Sequence, residues 1–129
     1  MKQIISVPNA PKGGPYSHAV RSGNLLYTSG QIPIDAATGK LVAGDVTTEV
    51  RQVFANLKVV LNAAGIDLEN VIKTTAFLTD LDDFAAVNAV YAEMFPVNPP
   101  ARSCFQVSAL PLGARVEIEA IAAFDSAAG

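Results

Sequence analysis

Two short segments near the end of the chain carry charged side chains on an otherwise apolar background. Arg102 and Cys104 stand two residues apart in the first segment, and Glu117 and Glu119 stand two residues apart in the second. Side chains alternate across a β-strand, so each pair would share one face of its strand. An arginine can bind an anion and a carboxylate can accept a proton, and both act more strongly where a second subunit makes their surroundings partly dry.

The same side chains have a plainer interpretation, which the residues alone leave open. Arginine and glutamate on an open sheet face are usually solvated, or they form a cross-strand pair worth about 0.2–1 kcal/mol. A lone cysteine such as Cys104 is more often a small buried hydrophobe than a nucleophile. His18 is the only histidine, so one chain has no pair of histidines for acid–base chemistry, and His18 fits a structural role as well as a functional one.

Two loop segments raise similar alternatives. Residues 13–16 (GGPY) predict a rigid loop that either presents the phenol of Tyr16 or packs it on the core. Ser29 and Gly30 follow a predicted strand, where they either offer backbone donors or simply end the strand. The GxGxxG, Walker and HExxH patterns are absent from the sequence, and no metal-ligand spacing appears. We therefore expect no nucleotide, metal or other cofactor.

Composition narrows the class of protein. The 129 residues predict one domain over residues 1–129, and because half are apolar and only 16% are charged, an oligomer is favoured over a monomer. The net charge of −3, with nine scattered basic residues, disfavours a nucleic-acid groove. One cysteine allows no intrachain disulfide. No segment has the character of a signal peptide or membrane span, so a cytoplasmic location is expected.

Periodicity predicts an α+β domain with the element order β-β-β-α-β-α-β-β. An apolar stripe at three- and four-residue spacing predicts the longer helix, which Asp45 or Thr47 would cap and Gly65 would end. The predicted strands are 2–7, two within 18–29, 70–79, 101–107 and 115–124; the predicted helices run from about 45 to 64 and from about 82 to 95; 30–44 is a predicted loop.

We expect both helices to cover one face of a single sheet. If that face carries Phe105 and Ile118, strand alternation places Arg102 and Glu117 together on the opposite face. No helix of this chain is left to cover that opposite face, so it would meet water or another subunit.

Five segments, in order along the chain, are similar to one family. They are GPYSHAV (14–20), TSGQIPID (28–35), VIKTTAFLTDLDDFAAVNAVY (71–91), PPARSCFQVSALP (99–111) and VEIEAIA (116–122). Together they resemble the RidA (YjgF) family of reactive-intermediate deaminases, and P-A-R-S-C followed by V-E-I-E-A is the most specific part. The resemblance implies a chorismate-mutase-like α+β fold, with two helices on one face of a mixed sheet. It also implies a homotrimer whose sheets form a central barrel, with three clefts between subunits.

The resemblance further implies an activity and the residues that perform it. The activity is the hydrolysis of 2-imino acids and enamines, such as 2-iminobutanoate, 2-iminopropanoate and 2-aminoacrylate, to 2-keto acids and ammonia without a cofactor. The family's substrate-carboxylate arginine matches Arg102, and its water-positioning glutamate matches Glu117 rather than Glu119. The other matching cleft positions, some of them expected from a neighbouring subunit, are Tyr16, Ser29, Gly30, Asn88 and Cys104.

Two positions depart from the pattern of many relatives: His18, where glutamine is usual, and Gln106, where an acidic residue is usual. Either could alter the substrate range, so no particular imine is predicted. One alternative function is a non-catalytic protein that binds keto acids or other small carboxylates in the same cleft. A second is a ribonuclease or translation inhibitor, a role reported for some relatives, which the pI of about 4.9 and the single histidine disfavour.

Overall fold

Two eight-residue strands and one 18-residue helix carry most of the fold in this computed structural model, which describes residues 1–8, 10 and 12–125. The strands are β1 Lys2–Ile5, β2 Ala19–Ser22, β3 Leu25–Thr28, β4 Ile34–Asp35, β5 Lys40–Leu41, β6 Val71–Leu78, β7 Ala101–Gln106 and β8 Val116–Ala123. The helices are α1 Val46–Ala63 and α2 Phe84–Met94, with 3₁₀ turns at Leu68–Asn70, Leu81–Asp83 and Pro111–Gly113.

Six of the strands form one mixed sheet in the order β1-β2-β3-β8-β6-β7. Neighbouring strands are antiparallel except β6 and β7, which run parallel because α2 crosses between them. The predicted α+β class, with two helices on one mixed sheet, is confirmed. Residues 30–44 were predicted to form a loop, but the structure has a hairpin of β4 and β5 there. Strands of two residues are too short for alternation to show in the sequence.

The helix α1 begins and ends where its sequence signals predict. The carboxylate of Asp45 accepts a hydrogen bond from the Thr48 amide at 3.0 Å, which caps the first turn. Gly65 follows the helix at φ +83°, a conformation that glycine adopts without steric cost. The Ile66 amide then donates to the Leu61 carbonyl at 3.1 Å and closes the last turn. Within the described residues, neither helix combines the length and apolar character that a membrane span requires.

The core lies between the two helices and one face of the sheet. Ala76 of β6 and Ile118 of β8 point into it and have no exposed area. The hydroxyls of Thr74 and Tyr91 form a hydrogen bond of 2.8 Å within this layer, so neither polar group is buried without a partner. The largest fully buried side chains are Leu26, Val50, Val53, Phe54, Leu57, Val60, Leu61, Leu78, Val87, Val90, Val116 and Ile118.

The face that β7 presents to the helices differs from the prediction. β7 pairs with β6 at a register that aligns Arg102 with Thr74 and Cys104 with Ala76, so both side chains lie on the helix-covered face. Phe105, predicted beneath the helices, is instead 52% exposed on the other face. Both faces of this strand mix polar and apolar side chains, so alternation alone does not decide between them, and the pairing with β6 does.

The face that β8 presents is as predicted. Ile118 points into the core, whereas Glu117 aligns with Phe77 and Glu119 with Thr75 on the face that no helix covers. Since Arg102 lies on the opposite side, the expectation that arginine and glutamates emerge together from one face is wrong.

An ion pair joins the first turn of α1 to the start of β8. The Glu49 carboxylate is buried, accepts a hydrogen bond from the Arg115 amide at 2.9 Å, and pairs with Nε of the same residue. The Arg115 guanidinium also donates to the Gly44 carbonyl. These contacts hold the chain in place two residues ahead of Glu117.

We expect Glu49→Ala to lower the free energy of unfolding by about 2 kcal/mol, because it leaves the Arg115 amide and guanidinium without their acceptor. The matched control is Glu93→Ala, which removes an ion pair with Arg51 whose partners are about half exposed, and its effect should be much smaller. Urea unfolding at one protein concentration measures both variants. Equal losses of stability would contradict the structural role of the Glu49–Arg115 pair.

Candidate active site

The helix-covered face holds the first group of predicted site residues, Arg102, Asn88 and Cys104, which we call the arginine half-site. Arg102 Nη1 donates to the Asn88 Oδ1 at 2.7 Å, so α2 orients the guanidinium. The guanidinium carbon lies 4.6 Å from the ring centre of Tyr91 and 5.2 Å from that of Phe84, and both rings support the positive charge. Among the described residues no carboxylate pairs with Arg102, which leaves most of its donors for an external anion.

Cys104 lies beside Arg102 and is partly buried. Burial raises the pKa of its thiol above the ordinary value of 9.0, and the positive charge of Arg102 opposes this effect only in part. The thiol is therefore protonated at neutral pH, and a thiol is a weak donor rather than a nucleophile. This electrostatic environment favours a lining role for Cys104 over covalent catalysis.

The second group of predicted site residues lines a separate cavity of about 580 Å³, which we call the glutamate half-site. Its predicted members are Tyr16, Ser29, Gly30 and Glu117. His18, which is buried, and Glu119 line the same cavity. The volume falls within the usual range for small-molecule sites. None of the residues of the arginine half-site lines this cavity.

A bulge between β3 and β8 shapes the wall of the glutamate half-site. Tyr27 pairs with Ile121, and the next pair along the two strands is Gln31 with Ile118. Between these two pairs, residues 28–30 lie opposite residues 119–120. The first segment therefore has one extra residue, which interrupts the hydrogen-bond ladder. The interrupted segment carries two of the predicted residues, Ser29 and Gly30, into the cavity wall.

Hydrogen bonds to the backbone fix two of the lining side chains. Ser29 Oγ donates to the Ser17 carbonyl at 2.6 Å, and the Tyr16 hydroxyl accepts from the Gly13 amide at 3.1 Å. Tyr16 is thereby held at the cavity, and the residue is 44% exposed. Of the two predicted alternatives for this loop, the phenol is presented rather than packed on the core.

Gly30 lies directly against Glu117. A Cβ atom at residue 30 would stand 2.1 Å from Glu117 Oε2, so only glycine leaves the carboxylate where it is. Burial, and after it the like charge of Glu119, raises the pKa of Glu117 above the ordinary value of 4.5. A carboxylate of raised pKa, in a cavity of this size, is suited to accept a proton from a bound water.

Five residues around the two half-sites are not among the predicted site residues. Phe84 and Tyr91 lie beneath the guanidinium, yet their helical spacing is the same as that of ordinary core residues. Ile32, Ile34 and Leu112 line the glutamate half-site from segments that read only as loop. Their contribution depends on long-range packing, which no local pattern encodes.

One copy of the chain therefore holds two half-sites on opposite faces of its sheet. The sheet itself lies between Arg102 and Glu117, so a small ligand bound to the arginine of one copy cannot contact the glutamate of the same copy. The two half-sites differ in chemistry: the arginine half-site offers donors for an anion, and the glutamate half-site offers a carboxylate that can accept a proton.

Comparisons with known proteins place the chain among close relatives. The family model described as Endoribonuclease L-PSP matches residues 7–124. A RutC family protein of Pyrococcus horikoshii is 52% identical over 123 residues, which cover 95% of this chain and 98% of the relative. A 2-iminobutanoate/2-iminopropanoate deaminase of Mus musculus is 48% identical over 123 residues, or 95% and 91% of the two chains. A solved structure of a Rid-family protein from Yersinia pestis matches with a TM-score of 0.91 and 46% identity, over 95% of this chain and 99% of that one.

We expect Gly30→Ala to displace the Glu117 carboxylate while the protein still folds, because the clashing atoms are the end of a flexible side chain. The matched control is Gly13→Ala, at the same cavity, where an added Cβ meets nothing within 4 Å. A carbon-13 NMR titration of the Glu117 carboxyl measures the effect. Its pKa should fall toward 4.5 in Gly30→Ala as the carboxylate leaves its buried position, and should stay raised in the control. A raised pKa in both variants would contradict the assigned contact.

Proposed function

The chain belongs to the Endoribonuclease L-PSP family, which is the family of the RidA proteins, and on that premise we propose that it hydrolyses 2-imino acids and their enamines to 2-keto acids and ammonia. The observation that carries the proposal is the complementary chemistry of the two half-sites. Arg102 offers a preoriented guanidinium with no carboxylate partner among the described residues, and Glu117 offers a carboxylate of raised pKa in a cavity. The name of the Mus musculus relative supports the substrate class.

The proposed active site forms between two copies of the chain. The uncovered face of the sheet carries large apolar side chains that are about half exposed, namely Ile4, Tyr27 and Phe105. Such a surface favours contact with another copy. In the homotrimer that the family resemblance implies, the arginine half-site of one copy would face the glutamate half-site of its neighbour.

The chemistry follows from this arrangement. Arg102 of one copy binds the carboxylate of the imino acid through two parallel hydrogen bonds, which orients the imine carbon toward the neighbouring Glu117. Glu117 accepts a proton from a water molecule as the water oxygen bonds to the carbon of the protonated imine and gives a neutral carbinolamine. Glu117 then returns that proton to the amino nitrogen and the carbon–nitrogen bond breaks. Ammonia leaves while the carbinolamine hydroxyl gives its proton to Glu117, and the keto acid forms. Because the pKa of Glu117 is raised, a fall in pH protonates its carboxylate sooner than that of an ordinary glutamate. We therefore expect the rate of hydrolysis to decline on the acid side at a higher pH than an ordinary glutamate base would give.

Two other functions compete with this proposal. A protein that only binds small carboxylates would need Arg102 but would release keto acid no faster than buffer does. A ribonuclease would fit the family description, yet the net charge of −3 does not favour the binding of a phosphate backbone.

We expect Arg102→Ala and Glu117→Gln each to slow imine hydrolysis by about a hundredfold or more. When the two inactive variants are mixed in equal amounts and allowed to exchange subunits, activity should return. Random assembly joins an intact arginine to an intact neighbouring glutamate in about a quarter of the clefts, so about a quarter of the wild-type rate is expected.

The assay follows keto-acid release from freshly generated 2-iminobutanoate, and solution mass confirms that each variant assembles. The control is a sample of Arg102→Ala alone that is taken through the same exchange procedure. None of its clefts can regain an intact arginine, so it should stay inactive. A mixture that stays as inactive as its components, although native mass spectrometry shows that the subunits have exchanged, would overturn the shared site. A wild-type rate equal to that in buffer would overturn the enzyme assignment itself.

A further inference from the structure

The 3₁₀ turn Pro111–Gly113 holds Leu112 at the rim of the glutamate half-site. Leu112 adopts φ +59° and ψ +13°, a left-handed conformation that a side chain with a Cβ adopts at a cost. The leucine is also 68% exposed, so burial in the core does not offset that cost. Asparagine or glycine would adopt the same turn with less strain. A strained and exposed leucine that lines a cavity points to a role in binding.

The turn that carries Leu112 is fixed at its far end. Gly113 donates to the Leu110 carbonyl at 3.2 Å, and the buried Ala114 donates to the Pro111 carbonyl at 3.1 Å. Arg115 follows directly and is bound to the buried Glu49 of α1. The left-handed leucine is thus held by its surroundings and keeps its position at the rim.

Two isoleucines line the same cavity as Leu112. Asn56 of α1 donates through Nδ2 to the Ile32 carbonyl at 3.0 Å and to the Ile34 carbonyl at 2.9 Å, which ties their segment to the helix. Its Oδ1 accepts from Gln52 at 2.9 Å, so the polar atoms of this amide are already used within the chain. The isoleucines and Leu112 therefore give the cavity an apolar portion beside its polar groups.

We propose that Leu112, Ile32 and Ile34 form a subsite for the carbon chain of the substrate and that Leu112 sets a preference for imino acids whose aliphatic side chain is longer than a methyl group. This inference rests on the proposed deaminase function. The cavity of about 580 Å³ that holds Glu117 has room for more than a methyl group next to the reacting carbon. When an isobutyl chain moves out of water and packs against this apolar portion, it strengthens binding in proportion to the apolar area it buries.

The test compares two imines made in place by an amino-acid oxidase, from alanine and from leucine. Leu112→Asn removes the apolar contact and suits the left-handed turn, so the variant should fold. We expect it to lower the acceleration of keto-acid release about tenfold for the leucine-derived imine and less than twofold for the alanine-derived one. Leu112→Met keeps an apolar side chain at this position and should retain most of the wild-type acceleration for the leucine-derived imine. Val97→Asn, at an exposed apolar residue that does not line the cavity, is the matched control and should change neither rate.

Equal losses for both imines, or no loss for either, would overturn the subsite. If the wild type accelerates neither imine, the deaminase proposal fails, and the subsite is then judged by the binding of pyruvate and 4-methyl-2-oxopentanoate. Weaker binding of only the longer keto acid by Leu112→Asn would uphold the subsite. Unchanged or equally weakened binding of both keto acids would reject it.

Discussion

The parallel pairing of β7 with β6 sets the arrangement on which the rest of the site depends. Because Arg102 pairs with Thr74, its side chain points toward α2. On the other side of β6, the antiparallel strand β8 places Glu117 on the uncovered face. Asn88 and two aromatic rings can then orient the guanidinium from the helix layer. The carboxylate acquires its own cavity on the other side. A single-residue shift in the β6–β7 register would reverse the face of Arg102 and remove the arginine half-site.

The glutamate half-site gathers several local departures from regular structure. The β3–β8 ladder carries an extra residue there, Leu112 is left-handed, and a buried carboxylate, Glu49, braces the turn beside it. The extra residue in the ladder and the left-handed leucine each cost stability when taken alone, and proteins tend to keep such costs where function requires them. The helix α1 supports all of this, because its first turn holds Arg115 and its Asn56 holds the isoleucine segment.

Local patterns predicted most of the elements but not the way they share faces. Apolar periodicity with the Asp45 cap and Gly65 predicted α1 closely, and alternation placed Ile118 in the core. The strand 101–107 carries a similar mixture on both faces, so its orientation depended on a partner strand about 30 residues away along the chain. The hairpin within 30–44 was missed because its strands are two residues long.

Family similarity predicted functional roles for residues that local patterns left open. Tyr16, Ser29, Gly30 and Glu117 were named from matching segments, and they do line one cavity. Their separation from Arg102 is a property of the sheet and is not visible in any single segment. The residues that support the site but are not among the predicted site residues, such as Tyr91 beneath the guanidinium, become apparent only from the packing of α2 against β7.

A crystal structure of the protein with bound 2-oxobutanoate, the keto-acid product, tests the central claim most directly. We expect the carboxylate of the ligand to lie on the Arg102 fork of one copy and its carbonyl carbon to face Glu117 of a second copy. A ligand that contacts Arg102 and Glu117 of the same chain, or that fills the cavity without touching any Arg102, would contradict the account.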